Sequence, residues 1–262
     1  MAGPRAATPS KRLTGEQLLF LLCLLALTAL AWLMLLHMAR DMSAPGGMAD
    51  AAMAGMVMPW SLSDALLMFV MWVVMMIGMM LPSVVPMLLI YQQMLRKRMP
   101  APQRHLALLL FCSAYGLVWA GFALGATALQ WALERLALLS PGMRSSSTAL
   151  GAGLLLVAGV YQWLPSKAVC LEHCRGPLHF LLGYWRPDVL GGWRMGLAHG
   201  AYCLGCCWAL MGLLFVVGVM NLLWVAVIGA FILLEKNLPQ GLWLSRLCGL
   251  LLLGWSLWLL LG

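Results

Sequence analysis

The chain has 262 residues, 63% hydrophobic and only 9% charged, with a mean hydropathy of +0.93. That apolar excess excludes a water-soluble globular domain, which has no means of hiding so much greasy surface. The net charge of +8 is spread over alternate connecting segments, which excludes a clustered nucleic-acid-binding face and reads instead as an orientation signal in a membrane.

Several apolar runs approach or exceed the roughly 20 residues a bilayer-crossing helix needs, and the alternation of a β-barrel strand is absent. The expected fold class is therefore all-α: a polytopic transmembrane bundle of about seven helices, forming one domain over residues 18–262. Residues 1–17, with Arg5, Lys11 and Arg12, read as a disordered cytoplasmic tail. The first predicted span is 18–36, long for a signal-peptide core and followed by no small-residue cleavage site. The loop after it, 37–60, carries Met38, Met42, Met48, Met53, Met56 and Met58 among small residues and reads as flexible.

The second span, 61–91, starts at a capping region, Ser61–Asp64, and contains Pro82 and Pro86, which are expected to kink or unwind it. The third and fourth spans are 106–131 and 149–164. The connection 165–195 is the longest polar stretch, and its middle, 179–185, is expected on the membrane surface. The fifth span is 196–219, and a turn at Asn221 leads to the short sixth, 222–234. Glu235, Lys236, Asn237 and Pro239 end the sixth, and the seventh is 241–261.

With the N-terminus in the cytoplasm, only Arg40, Arg135 and Arg144 fall outside, and every other Lys and Arg, Lys167 and Lys236 included, falls inside. The expectation is an integral protein of a bacterial inner membrane, surrounded by lipid, with its C-terminus outside.

The chemistry concentrates in two spans. In the second, Met71, Met75 and Met79 continue a helical stripe from Met68, with Met76 and Met80 beside it. Thioethers are neutral, soft ligands that suit Cu(I) and avoid the cost of a buried anion. Methionine is also a flexible packing residue, and packing alone would account for a few of these. In the fifth span, His199, Cys203, Cys206 and Cys207 lie three or four residues apart and share a helix face. One imidazole with several thiols is a soft-metal ligand set, although a buried cysteine can equally be a small hydrophobe. Gly196, Gly200 and Gly205 allow another helix to approach closely, with the second span as the natural partner. Glu235 either balances a bound cation or relays a proton within the membrane, or forms an ordinary interfacial boundary with Lys236. The connection 165–195 offers a looser set, Cys170, His173 and Cys174, with His179 beyond, which lacks the paired spacing of a structural zinc site. The eight scattered cysteines do not form the framework of a disulfide scaffold.

Two segments carry a resemblance: Met71-Trp72-x-x-Met75-Met76-x-x-Met79-Met80-x-Pro82 and Gly196-x-x-His199-Gly200-x-Tyr202-Cys203-x-Gly205-Cys206-Cys207-Trp208. Together with Gly218-x-Met220-Asn221 and Leu234-Glu235-Lys236, they resemble the signature of the predicted metal-binding integral membrane proteins, domain of unknown function 2182, over roughly residues 60–240. The resemblance implies metal binding and, through some relatives, copper supply to copper enzymes. By motif position it implies functional roles for Met71, Met75, Met79, Met80, His199, Cys203, Cys206, Cys207 and Glu235.

The leading expectation is a membrane copper-handling protein that moves Cu(I) or delivers it to a copper enzyme or another chaperone. A membrane thiol–disulfide relay through Cys203 and Cys206 is the second reading, and a scaffold subunit of a membrane enzyme the third. No nucleotide-binding motif or nucleophile triad is present, so catalysis is not expected; a copper-dependent oxidase is the enzymatic alternative.

Overall fold

The computed structural model describes residues 15–43, 60–140 and 143–261. The described residues are almost wholly helical, and their sole β feature is an isolated bridge between Leu139 and Ser145. In chain order the helices are α1 Gly15–Ser43, α2 Leu62–Arg98, α3 Ala101–Arg135, α4 Thr148–Tyr161 and α5 Pro165–Arg175. They continue with α6 Pro177–Tyr184, α7 Val189–Gly212, the single turn α8 Leu214–Val217, α9 Leu222–Asn237 and α10 Gly241–Leu261.

Five of them, α1, α2, α3, α7 (with α8) and α10, are long and apolar enough to cross a membrane. The fourth and sixth predicted spans fall short. At about 1.5 Å per residue, the 14 residues of α4 and 16 of α9 reach roughly 21 and 24 Å, against about 30 Å of hydrocarbon. α4 meets the apolar-length test only together with α5, across a 65° bend.

Four expectations are corrected. The tail does not extend to residue 17: α1 begins at Gly15, Gln17 is buried, and Glu16 pairs with Arg104 at 2.7 Å. Residues 1–14 lie outside the described residues, as do Met48, Met53, Met56 and Met58 of the methionine-rich loop, while 37–43 continue α1. The connection 165–195 is not a loop. Pro165 and Pro177 each start a helix, α5 and α6, because proline fits the first turn, where its missing N–H costs nothing. Finally, α2 runs as one helix through both Pro82 and Pro86, without unwinding.

The entry to α2 follows the capping logic of its sequence. Ser61 accepts a hydrogen bond from the Asp64 backbone N–H, and the Asp64 carboxylate accepts one from the Ser61 N–H at 2.9 Å. The core of the bundle is the packing of α7 on α3, and glycines permit it. A Cβ at Gly192 or Gly196 would stand 2.2 or 2.4 Å from the backbone carbonyl oxygens of Ala107 or Phe111. The glycine face therefore meets α3, with Gly205 against Cys170 of α5, and not the second span as expected. The physical reason is that small residues permit a close approach without specifying the helix that makes it. α2 lies between α1 and α3 and contacts α9, and α4 packs on α10.

The exterior is apolar. Leu251 is 75% exposed, Trp258 69% and Leu261 79%, all on α10, and α1 presents Leu19, Leu25, Leu30 and Leu33 in the same way. In water such continuous faces would aggregate; a lipid environment suits them.

Candidate metal centre

The stripe on α2 faces inward. Met71, Met75, Met76, Met79 and Met80 are each no more than 3% exposed, and Met68 is buried too. From Met68 to Met80 the column is about 18 Å long at the helical rise. Its upper end meets a polar group on α3: Gln130 donates to the Met68 Sδ at 3.6 Å and to Glu134 at 3.0 Å, and accepts from the Trp72 indole at 2.9 Å. Trp60 donates to the other oxygen of Glu134 at 2.7 Å.

At the lower end stands a thiol cluster built by four helices. α7 supplies Cys203, Cys206 and Cys207, all buried, because the i, i+3, i+4 spacing puts them on one face. The Cys206 and Cys207 thiols both donate to the Cys203 carbonyl, at 3.1 and 3.0 Å. α5 brings the Cys174 thiol close to those of Cys203 and Cys206. α9 supplies Lys236, whose ammonium donates to the Cys203 Sγ at 2.9 Å, the Ser83 Oγ at 3.3 Å and the Met80 Sδ at 3.9 Å. α3 adds Tyr115, whose hydroxyl shares a 3.1 Å hydrogen bond with the Cys203 Sγ.

His199 lies one turn before Cys203. It is 3% exposed and ringed by Phe111, Tyr115 and Phe180, with centroids at 6.0, 6.0 and 5.1 Å. Its Nδ1 is buried without a hydrogen-bond partner, an expensive arrangement for a polar atom and one that leaves a ligand lone pair or N–H uncommitted. All eight cysteines are free. Among the described residues no group of three or more His, Cys, Asp or Glu side chains has the arrangement of a preformed ion site. Sulfur atoms are gathered, but Lys236 and hydrogen bonds within the cluster occupy them.

Glu235 does not face this cluster. Its side chain is wholly buried and pairs with Lys167 of α5 at 2.5 Å, while Ser245 of α10 donates to the same carboxylate oxygen. Lys167 also donates to Gln162. It is thus not a free countercharge beside the sulfur atoms. Cys170 and His173 part company with Cys174. Cys170 packs on Gly205, and His173 stacks on Tyr202 at 4.1 Å between centroids, with its Nδ1 bonded to the Val169 carbonyl at 2.9 Å.

Lys236, Lys167, Tyr115 and Ser83 were missed from sequence. The two lysines were read as loop charges, and their sequence neighbours do not mark Lys167 as the partner of Glu235 or Lys236 as a contact of Cys203.

An all-helical bundle whose interior collects thiols, thioethers and an unpartnered imidazole has the donor set of a protein that handles a soft metal ion. The chain belongs to the copper chaperone family PpoB2, whose family model matches residues 69–259. That match covers Met71–Met80 of the methionine column and the thiol cluster. No curated protein and no solved structure matches the chain.

Proposed function

We propose that the protein is an integral membrane Cu(I) carrier that passes the ion to a copper-receiving partner. The observation that carries this reading is the meeting of four thiols, Cys174, Cys203, Cys206 and Cys207, beside His199 at the foot of the buried methionine column. Membership of a copper chaperone family supports the choice of metal.

In this reading Met71, Met75, Met76, Met79 and Met80 give a low-charge path, since thioethers bind Cu(I) without putting an anion in the bilayer. The tightest site is Cys203 with Cys206 or Cys207, joined by His199 or Cys174. Each thiol that binds releases its proton, and Cu(I) replaces the hydrogen bonds now made to the Cys203 carbonyl and the Lys236 ammonium. In this reading the start of α1 is cytoplasmic, the start of α2 faces outward in a bacterial inner membrane, and the thiol cluster occupies the inner half. The joint placement of Glu16 and Arg104, and the seat of Arg98 over Trp185 at 4.8 Å, support one basic inner face.

The thiol-relay reading is less well supported. Cys203 lies in the middle of α7, whereas a redox Cys-x-x-Cys pair sits at a helix N-terminus. A relay also leaves the methionine column without a role.

The test is a Cu(I) competition titration of the full-length protein in detergent under reducing conditions, against a chromophoric Cu(I) chelator. Wild type is expected to bind Cu(I) tightly, and Cys203→Ser/Cys206→Ser to lose at least about a hundredfold in affinity. Equal affinity and stoichiometry in the variant would sink the site assignment.

A further inference from the structure

Two lysines are buried in this bundle, and their surroundings differ. Lys167 has a carboxylate, Glu235, at 2.5 Å. Lys236, 5% exposed, has no carboxylate partner among the described residues. Its ammonium is held by a thiol sulfur, a hydroxyl and a thioether. The neighbouring Glu235 is committed to Lys167 and Ser245 on the far side of α9. A cation kept in a low-dielectric interior needs an anion, and the groups in reach that can become one are the thiols of α7 and α5 and the Tyr115 hydroxyl.

Resting on the copper reading above, we propose that Lys236 is the charge-selectivity residue of the thiol site. It is a fixed positive charge that matches a monovalent ion on two thiolates and opposes a divalent one. With Cys203 and Cys206 or Cys207 as the two thiolates and neutral His199 as the third ligand, two thiolates, one Cu(I) and one ammonium sum to zero. Zn(II) in the same place leaves one positive charge unbalanced, and it repels the ammonium twice as strongly as Cu(I) does. On loading the ammonium moves off the Cys203 Sγ and keeps Ser83, already at 3.3 Å, as its acceptor. Soft donors alone do not reject Zn(II), because thiolates and imidazole are also its ligands. The cation beside them supplies the discrimination that ligand type does not.

The experiment measures Cu(I) and Zn(II) affinities, each by chelator competition, on the full-length protein in detergent. Wild type is compared with Lys236→Met, Lys236→Gln and Lys236→Arg, each checked for folding by its thermal transition. The neutral variants are expected to shift the ratio of affinities toward Zn(II) by at least about tenfold, and Lys236→Arg to stay near wild type. A folded neutral variant with an unchanged ratio overturns the proposal, as does one that weakens both ions equally, since that is the mark of a structural role. If neither neutral variant folds, the wild type decides: displacement of bound Cu(I) by a hundredfold excess of Zn(II) overturns the proposal, and retention supports it. Failure of the wild type to bind Cu(I) at all refutes the copper reading itself, which is a different result from an unchanged ratio.

Discussion

Lys167→Met tests how α5 is fixed. Lys167 is 1% exposed and its ammonium reaches Glu235, itself fully buried, at 2.5 Å. Removing the ammonium leaves a carboxylate in the interior with Ser245 as its remaining donor and its Oε2 without a partner. Deleting one member of a buried pair costs about 3–5 kcal/mol, chiefly because the other charge is left uncompensated. At about 2–4 °C per kcal/mol for a chain of this size, the thermal transition in detergent should fall by roughly 6–20 °C. The double variant Lys167→Met/Glu235→Leu removes both charges and should recover most of that loss, because an apolar pair of similar volume is close to neutral. Since α5 also carries Cys174, the single variant should weaken Cu(I) binding while the double restores it. The assay is the thermal transition followed by tryptophan fluorescence. A loss under about 2 °C in the single variant, or additive losses in the double, would refute the reasoning.

Three further outcomes follow. Replacing Met75, Met76 and Met79 together by Leu conserves volume and should cost less than about 1.5 kcal/mol per site, yet slow Cu(I) transfer into the thiol cluster by at least about tenfold in stopped-flow; unchanged transfer would reduce the column to packing. Gly196→Leu drives a side chain into the Phe111 carbonyl, where a Cβ alone would stand at 2.4 Å, and should prevent accumulation of folded protein, read by size-exclusion chromatography. Glu16→Ala should leave the thermal transition within about 1 kcal/mol of wild type, because the Glu16–Arg104 pair is partly exposed.

Much of this was legible in the sequence because hydropathy and helical spacing are one-dimensional signals. The long apolar helices and the inward faces of Met71–Met80 and His199–Cys207 belong to that kind. What sequence reading missed depends on reach between helices. The run Glu235-Lys236-Asn237-Pro239 has the composition of a loop boundary, but α9 continues to Asn237 and the long lysine stem carries its ammonium back to Cys203. Cys170, His173 and Cys174 looked like one loop site because they are close in sequence. They do share one face of α5, but they meet α7 at different places: Cys170 at Gly205, His173 at Tyr202, and Cys174 beside Cys203 and Cys206. The partner of the glycine face was misassigned for a related reason. Small residues permit a close approach without saying which helix makes it, and Ala107 and Phe111 of α3 give their backbone to α7.

The most direct test of the central claim is the Cu K-edge X-ray absorption spectrum of the Cu(I)-loaded, full-length protein, beside Cys203→Ser and His199→Ala. The account predicts a Cu(I) edge with a shell dominated by sulfur, depleted in sulfur in Cys203→Ser and stripped of its imidazole scattering in His199→Ala. A nitrogen- and oxygen-dominated shell, or a sulfur shell that neither substitution alters, would contradict it.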